Sequence, residues 1–124
     1  MLKKNNRLNL SVAENALIFH NRDKDFYKTE FFLVYRRSNI EQLKLNCVVP
    51  KRLAKTAILR NFYRRLLFQI FEEISFGEEK AQILNKKEDL VFVYKLIPNN
   101  NLREKKQIQD RIKTDLEKFF KKIW

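Results

Sequence analysis

Residues that interrupt folded structure are scarce in this sequence, which has one glycine and two prolines among 124 residues. This scarcity leaves little room for long linkers or low-complexity tracts. No apolar run approaches the ~20 residues of a membrane-spanning helix, and the first residues lack the apolar stretch of a signal peptide. We therefore expect one domain over residues 1–124, located in the cytoplasm and without a membrane partner.

Residues that build catalytic and metal sites are also few. A lone cysteine, Cys47, allows no disulfide within the chain, and with a lone histidine, His20, it argues against a zinc site. We interpret His20 as a surface residue and Cys47, in a predicted strand, as a core residue. Adjacent acids such as Glu72 and Glu73 could hold Mg²⁺, but such pairs usually form solvated faces. These residues do not favour an enzyme in which this chain alone carries out the chemistry.

Negative charge is scarce in the first half of the chain, which accounts for most of the formal net charge of +12. Residues 1–70 hold 15 Lys and Arg against 5 Asp and Glu, whereas residues 71–124 hold 12 against 10. This imbalance favours an anionic partner, with nucleic acid ahead of a lipid surface. A basic protein without a polyanion partner is the remaining alternative.

No acid interrupts the segment from Lys51 to Arg65, which contains six cations. Most of it belongs to a predicted helix over residues 53–74, whose apolar residues share one wide face at 100° per residue. The other face carries the polar residues Arg60, Asn61, Arg64 and Arg65. The cations Lys51, Arg52 and Lys55 lead into the helix, where the helix dipole favours phosphate. This pattern predicts a nucleic-acid-binding surface, although a solvated charged face is the alternative.

One aromatic residue, Phe68, falls in the middle of that cationic face, between Arg64 and Arg65 on the helical projection. It could stack an RNA base or contact a neighbouring loop or helix of the fold. The predicted RNA-binding residues are Lys51, Arg52, Lys55, Arg60, Asn61, Arg64, Arg65 and Phe68.

The remaining patterns predict an α/β sandwich, with helices packed on a small mixed sheet. The first helix has a capping box at Ser11 and Glu14. The last strand lacks alternation, as expected for a strand covered on both faces. The predicted helices cover residues 10–20, 53–74 and 102–123, and the strands cover 31–35, 43–49 and 89–96, with a short leading strand around Phe26 and Tyr27.

Residues 49–66 resemble the signature of the bacterial ribonuclease P protein subunit. In that family a strand ends in Val-x-Lys-Lys, and a short spacer leads to Ala-x-x-Arg-Asn-Arg-x-Lys-Arg-Leu-x-Arg. The matching residues here are Lys51-Arg52, Ala57, Arg60-Asn61 and Arg64-Arg65-Leu66, with Arg7-Leu8 and residues 89–98 resembling other family segments. The sequence departs from the pattern at Phe62 and Phe68, which replace two arginines, and at Asn46 and Pro50, which replace small residues.

The resemblance implies an αβββαβα fold in which the basic helix lies in a left-handed βαβ crossover. It also implies that the chemistry belongs to a partner, the ribonuclease P RNA subunit, which removes the 5′ leader of precursor tRNA. Mg²⁺ would be held mainly by the RNA subunit and the substrate. The protein, a monomer in the complex, would screen phosphates and help to order the metal ions.

The family also holds the leader in a cleft between the first helix and the sheet. The resemblance implies that Phe19 and aromatics of the strand over residues 31–35 line this cleft. Strand alternation places Phe31 and Tyr35 on one face, and we favour them because a tyrosine tolerates a wet surface. The alternative is that all of these aromatic residues belong to the core.

Two other classes of protein remain as alternatives. A ribosomal or ribosome-associated structural RNA-binding protein would explain the charge equally well, although such proteins commonly carry basic extensions. A DNA-binding regulator would need a short recognition helix in a helix-turn-helix, which the pattern does not predict.

Overall fold

The computed structural model describes residues 7, 8, 10, 19, 26–75, 86–97 and 105–123. Within them, four strands form one sheet and two long helices pack against one of its faces. The strands are β1 (Phe26–Lys28), β2 (Phe32–Ser38), β3 (Lys44–Val48) and β4 (Glu88–Tyr94), and the helices are α1 (Ala57–Ser75) and α2 (Lys105–Ile123). The predicted α/β class is confirmed. The predicted first helix over residues 10–20 lies outside the described residues, except for Leu10 and Phe19.

The sheet is mixed, with the strand order β1-β2-β4-β3. β2 pairs antiparallel with both β1 and β4, whereas β3 and β4 are parallel. Parallel neighbours need a crossover connection, and α1 belongs to the one between β3 and β4. The basic helix is therefore part of a βαβ crossover, as predicted, and its left-handed sense stays a prediction.

Strand β4 is central and is buried on both faces. Leu90, Val91 and Tyr94 are 0% exposed and Phe92 is 1% exposed. The absence of alternation in this segment predicted such a position, and the prediction is confirmed.

The core between the sheet and the helices is rich in aromatic rings. Phe92 of β4 lies 5.8 Å from Phe119 of α2, centroid to centroid, and Phe71 of α1 lies 5.7 Å from Phe120. Such pairs contribute about 0.5–1.5 kcal/mol beyond the burial of their area. The first contact joins α2 to the sheet, and the second joins α1 to α2.

Helix α1 begins later than the predicted residue 53. The amides of Leu53 and Ala54 donate to the carbonyl of Pro50 at 3.1 and 3.2 Å, which closes a turn before the helix. The Thr56 hydroxyl then accepts the amide of Leu59 at 3.2 Å, as an N-cap. The buried face of α1 is also wider than predicted, since it includes the aromatic residues Phe68 and Phe71. Its buried members are Tyr63, Leu66, Leu67, Phe68, Ile70 and Phe71.

Helix α2 is fixed to the turn between β1 and β2 by a buried carboxylate. Asp115, 8% exposed, accepts hydrogen bonds from the Thr29 hydroxyl at 2.7 Å and from the amides of Glu30 and Phe31 at 3.2 and 3.1 Å. These three donors satisfy a charge that would be costly to bury alone. None of the described helices is long and apolar enough to cross a membrane.

The N-terminal residues Arg7 and Leu8 lie beside β3. Leu8 donates its amide to the carbonyl of Leu45 at 2.8 Å, and the Asn46 side-chain amide donates to the carbonyl of Leu8 at 2.8 Å. Arg7 forms an isolated parallel bridge with Leu45. This short pairing lies at the edge of the sheet and brings Arg7 close to α1.

Candidate nucleic-acid interface

The predicted cations lie together on α1 and on the loop that leads into it. Arg64 and Arg65 are exposed on the outer face of α1, because the residues that flank them, Tyr63 and Leu66, are buried against the core. The loop and the first turns of α1 add further exposed polar groups. These are Lys51, Arg52, Lys55 and Asn61.

Arg60 has a structural role that the sequence analysis missed. Its Nη1 donates to the carbonyl of Ala54 at 3.0 Å and to that of Lys55 at 3.1 Å. The half-buried guanidinium therefore holds the loop before α1 in place while it adds charge to the surface. No short sequence motif encodes such a contact, because it depends on the path of the loop.

The cations of this surface form no ion pair within the part of the chain that the structure describes, although Glu72 lines a cavity together with Arg64 and Arg65. Of the residues that the structure describes, no carboxylate forms an ion pair with a cation of the segment from Lys51 to Arg65. Some cations elsewhere are paired, as Arg37 is with Asp89 at 2.6 Å. The cations of this surface are therefore available to a polyanion.

Two cavities open along this surface, and Arg64 lines both of them. The first, which we call the α1 cavity, has a volume of about 550 Å³. The second, the β3 cavity, has a volume of about 390 Å³ and includes Lys51 and Arg60. The residues that line the α1 cavity are Arg7, Asn61, Arg64, Arg65, Phe68, Gln69 and Glu72.

The prediction that Phe68 offers its ring to an RNA base is wrong. Phe68 is 6% exposed and belongs to the core, and the guanidinium of Arg7 lies over its ring at 5.0 Å from the centroid. The ring is covered on this side because Arg7, which lies beside β3, reaches α1. The other interpretation, a contact within the fold, is confirmed.

Arg7 is the cation that the prediction of the interface omitted. Its side chain is exposed, and it lines the α1 cavity with Arg64 and Arg65. Because Arg7 and α1 are far apart in the sequence, no local periodicity indicates that they meet. The only signal was that Arg7-Leu8 resembles the opening segment of the family.

The other face of the sheet carries a smaller aromatic cluster. The rings of Phe19 and Tyr35 lie 4.9 Å apart in an edge-to-face arrangement, and Phe26 lies 5.1 Å from Tyr35. All three are half-buried, and Phe19 and Tyr35 pack around the buried Val91. The structure thus brings together the predicted Phe19 and Tyr35, while their part in leader binding stays a prediction.

The assignment of Phe31 to this face is wrong, and Phe26 lies on this face beside Tyr35 instead. Phe31 precedes β2 in a bend whose amides bond Asp115, so the alternation of the strand does not extend to it. It is 0% exposed in the core, with Arg111 of α2 over its ring at 5.3 Å. Phe26 joins the aromatic cluster because the sheet register pairs it with Tyr35.

Nucleophilic and metal-binding groups are not assembled in the part of the chain that the structure describes. Cys47 is 3% exposed, as predicted for a core residue, and burial raises the pKa of its thiol. No group of three or more His, Cys, Asp and Glu side chains lies together among the described residues. Asp89 and Asp115, the buried carboxylates, accept hydrogen bonds from protein donors.

Comparison with known proteins places these features in a family. The model of the family Ribonuclease P matches residues 2–124. The ribonuclease P protein components of two Vibrio vulnificus strains, YJ016 and CMCP6, are 32% identical over 94 residues. That match covers 76% of this chain and 65% of the length of these relatives.

The fold is similar to that of solved bacterial proteins. The ribonuclease P protein from Thermotoga maritima superposes with a TM-score of 0.65 at 23% identity, over 95% of this chain and 97% of that one. The ribonuclease P protein from Staphylococcus aureus superposes with a TM-score of 0.65 at 23% identity, over 90% and 93%. With a family match that spans nearly its whole length, this chain belongs to the Ribonuclease P family.

Proposed function

We propose that this chain is the protein component of a cytoplasmic ribonuclease P, which binds the catalytic RNA subunit and precursor tRNA and assists removal of the 5′ leader. The observation that carries the proposal is the exposed cationic surface on α1 and its leading loop, in a member of this family. In the proposed complex this surface contacts RNA phosphates, and the opposite face of the sheet contacts the leader.

The cations of α1 would act by neutralising phosphates. Arg64 and Arg65 project from a rigid helix, and Arg60 holds the loop that carries Lys51 and Lys55. Each phosphate that a cation neutralises releases condensed counterions, which supplies affinity without sequence preference. A guanidinium can also bond a phosphate through two parallel N–H donors, so the arginines add orientation to affinity.

The chain is proposed to support the metal chemistry of the RNA rather than to hold the metal. The described carboxylates do not gather into a cluster that could bind Mg²⁺, so the residues present do not fit a protein-only site. Mg²⁺ would be bound by phosphates of the RNA subunit and the substrate. Cations on α1 would lower the repulsion between RNA segments that must approach one another to form such a site.

The leader is proposed to bind the sheet face that carries Phe19, Phe26 and Tyr35. These rings are half-buried, so each keeps part of its surface available to a base. Stacking of bases on aromatic rings is tolerant of sequence and contributes about 1–3 kcal/mol per base. Such a site suits single-stranded leaders that differ from one precursor tRNA to the next.

The experiment that tests the proposal is reconstitution with a bacterial ribonuclease P RNA at low Mg²⁺. We expect the protein to increase cleavage of precursor tRNA by that RNA, and to cleave nothing without it. Mature tRNA, which lacks the leader, serves as the control for substrate binding. RNA binding without any increase in cleavage would contradict the proposal and favour a ribosome-type structural protein, and cleavage by the protein alone would contradict the assignment of the chemistry to RNA.

A further inference from the structure

The α1 cavity contains a contact between Arg7 and Phe68 that has no role in the proposed function. The guanidinium of Arg7 lies over the ring of Phe68, 5.0 Å from its centroid. The backbone beside Arg7 is anchored to β3 through the 2.8 Å bond between the Leu8 amide and the Leu45 carbonyl. Arg7 is exposed while Phe68 is buried, so the guanidinium lies between the ring and the solvent.

The groups around this pair match the parts of a nucleotide. Arg64 and Arg65 supply guanidinium donors suited to a phosphate, and together they outweigh the single acid of the lining, Glu72. Asn61 and Gln69 supply side-chain amides, each with a donor and an acceptor, as the edge of a base requires. The cavity volume of about 550 Å³ falls in the range of about 300–1,000 Å³ found for small-molecule sites.

We propose that the α1 cavity binds one unpaired nucleotide of RNA, with its base stacked on the outer face of the Arg7 guanidinium and its phosphate held by Arg64 and Arg65. The inference rests on the proposed function and names the feature of the RNA that α1 recognises. Unpaired bases of RNA commonly stack on guanidinium planes, whereas a base in a duplex is already stacked on its neighbours. Positive charge alone would not distinguish an unpaired nucleotide from a duplex, but a planar guanidinium on which a base can stack does.

Phe68 is a positioning residue in this proposal. Its ring holds the Arg7 guanidinium in place, because a cation is attracted to the face of an aromatic ring. The sequence carries phenylalanine here where the family pattern has an arginine. Arg7 brings a guanidinium to that part of the surface from the N-terminal segment, and the ring orients it.

The test uses the variant Arg7→Lys, which keeps the charge and removes the plane. Affinity is measured for two RNA hairpins of equal nucleotide number, one with a single adenosine bulged from its stem and one fully paired. We expect the native protein to prefer the bulged hairpin, and Arg7→Lys to lose about 5- to 100-fold of affinity for it alone. The slope of log K against log salt should not change, since the number of cations is the same.

A matched control is Arg111→Lys on α2, where Arg111 lies over the ring of Phe31 at 5.3 Å. It removes the same kind of stacked pair outside the cavity, and we expect the preference for the bulged hairpin to remain. In the variant Phe68→Leu, the further change Arg7→Lys should have little effect, whereas in Phe68→Tyr it should have its full effect. If the effect of Arg7→Lys depends on an aromatic ring at position 68, the ring positions the guanidinium. A general loss of packing would not show this dependence.

The possible results separate the inference from the proposed function. Equal affinity of the native protein for the two hairpins, or a preference that survives Arg7→Lys, overturns the nucleotide site and leaves the salt-dependent RNA binding in place. An equal loss in Arg111→Lys overturns it as well. A native protein that binds neither hairpin and fails to stimulate precursor tRNA cleavage defeats both proposals.

Discussion

The phenol of Tyr94 donates a hydrogen bond of 2.9 Å to the main-chain carbonyl of Tyr63. The bond joins the end of the central strand β4 to the middle of α1, and both residues are 0% exposed. Since it contacts the backbone of the helix, it limits rotation of α1 about its own axis. The outward direction of Arg64 and Arg65 therefore depends on a contact on the opposite side of the helix.

Replacing Tyr94 with phenylalanine removes this bond and keeps the ring. We expect the free energy of unfolding to fall by about 0.5–1.5 kcal/mol, the net contribution of a typical hydrogen bond. Urea denaturation measures the change, and the slope with urea should stay the same. Tyr35→Phe, which removes a half-buried hydroxyl from the other face of the sheet, should change stability by less than about 0.5 kcal/mol; an equal effect of the two changes would contradict the assigned role of the Tyr94 bond.

Stability should decrease at alkaline pH because of the same tyrosine. Burial raises the pKa of Tyr94 well above its ordinary value of 10.0. A raised pKa in the folded state means that the contribution is fully present below pH 10.0 and is lost as the pH rises above it. Unfolding free energies measured across this range should fall less steeply in Tyr94→Phe than in the native protein, and parallel curves would contradict the prediction.

The salt dependence of RNA binding should report on the outer face of α1. The double variant Arg64→Gln/Arg65→Gln should reduce the slope of log K against log salt by about 1.4–1.8, at about 0.7–0.9 per phosphate contact. Arg60 is left unchanged, because its bonds to the loop carbonyls would confuse a loss of charge with a loss of structure.

The control for this measurement removes the same charge from α2. Lys121 and Lys122 are both exposed near the end of that helix, away from the two cavities. The variant Lys121→Gln/Lys122→Gln should leave the slope nearly unchanged. Equal decreases of the slope in the two double variants would mean that RNA binding depends on the net charge of the protein and not on the surface of α1.

The two faces of the sheet should respond differently when an aromatic ring is lost. Tyr35→Leu should weaken binding of precursor tRNA by about 5- to 100-fold and leave mature tRNA unaffected, because only the precursor has a leader to stack. Phe31→Leu should instead lower stability by about 1–3 kcal/mol, because Phe31 is fully buried. Binding is measured with both tRNAs at saturating RNA subunit. A selective loss in Phe31→Leu, or none in Tyr35→Leu, would contradict the placement of the leader.

The sequence was sufficient where local pattern decides structure. The unbroken apolar run of β4 predicted its central position, and the separation of apolar from cationic residues predicted which side of α1 faces outward. Phe31 was misplaced because the alternation was counted through a residue that lies in a bend before β2. Alternation has a period of two, so it assigns a face only to residues that are inside the strand.

The rest of the site depends on contacts between distant parts of the chain. The stack of Arg7 on Phe68 joins the N-terminal segment to α1, and the pairing of Phe26 with Tyr35 requires the register of two strands. The local periodicity of the sequence predicts neither contact, because each depends on how separate segments of the chain pack together. The sequence therefore predicted the cationic face itself but not the cavity within it.

The strand order of the sheet also determines when the cationic helix acquires its support. Both β2 and β3 pair with β4, which is synthesised after α1. Of the pairings among the four described strands, that of β1 with β2 alone can form before residues 88–94 leave the ribosome. Domains form as units during synthesis, so the sheet that supports α1 is completed only after the arginines of α1 have been synthesised.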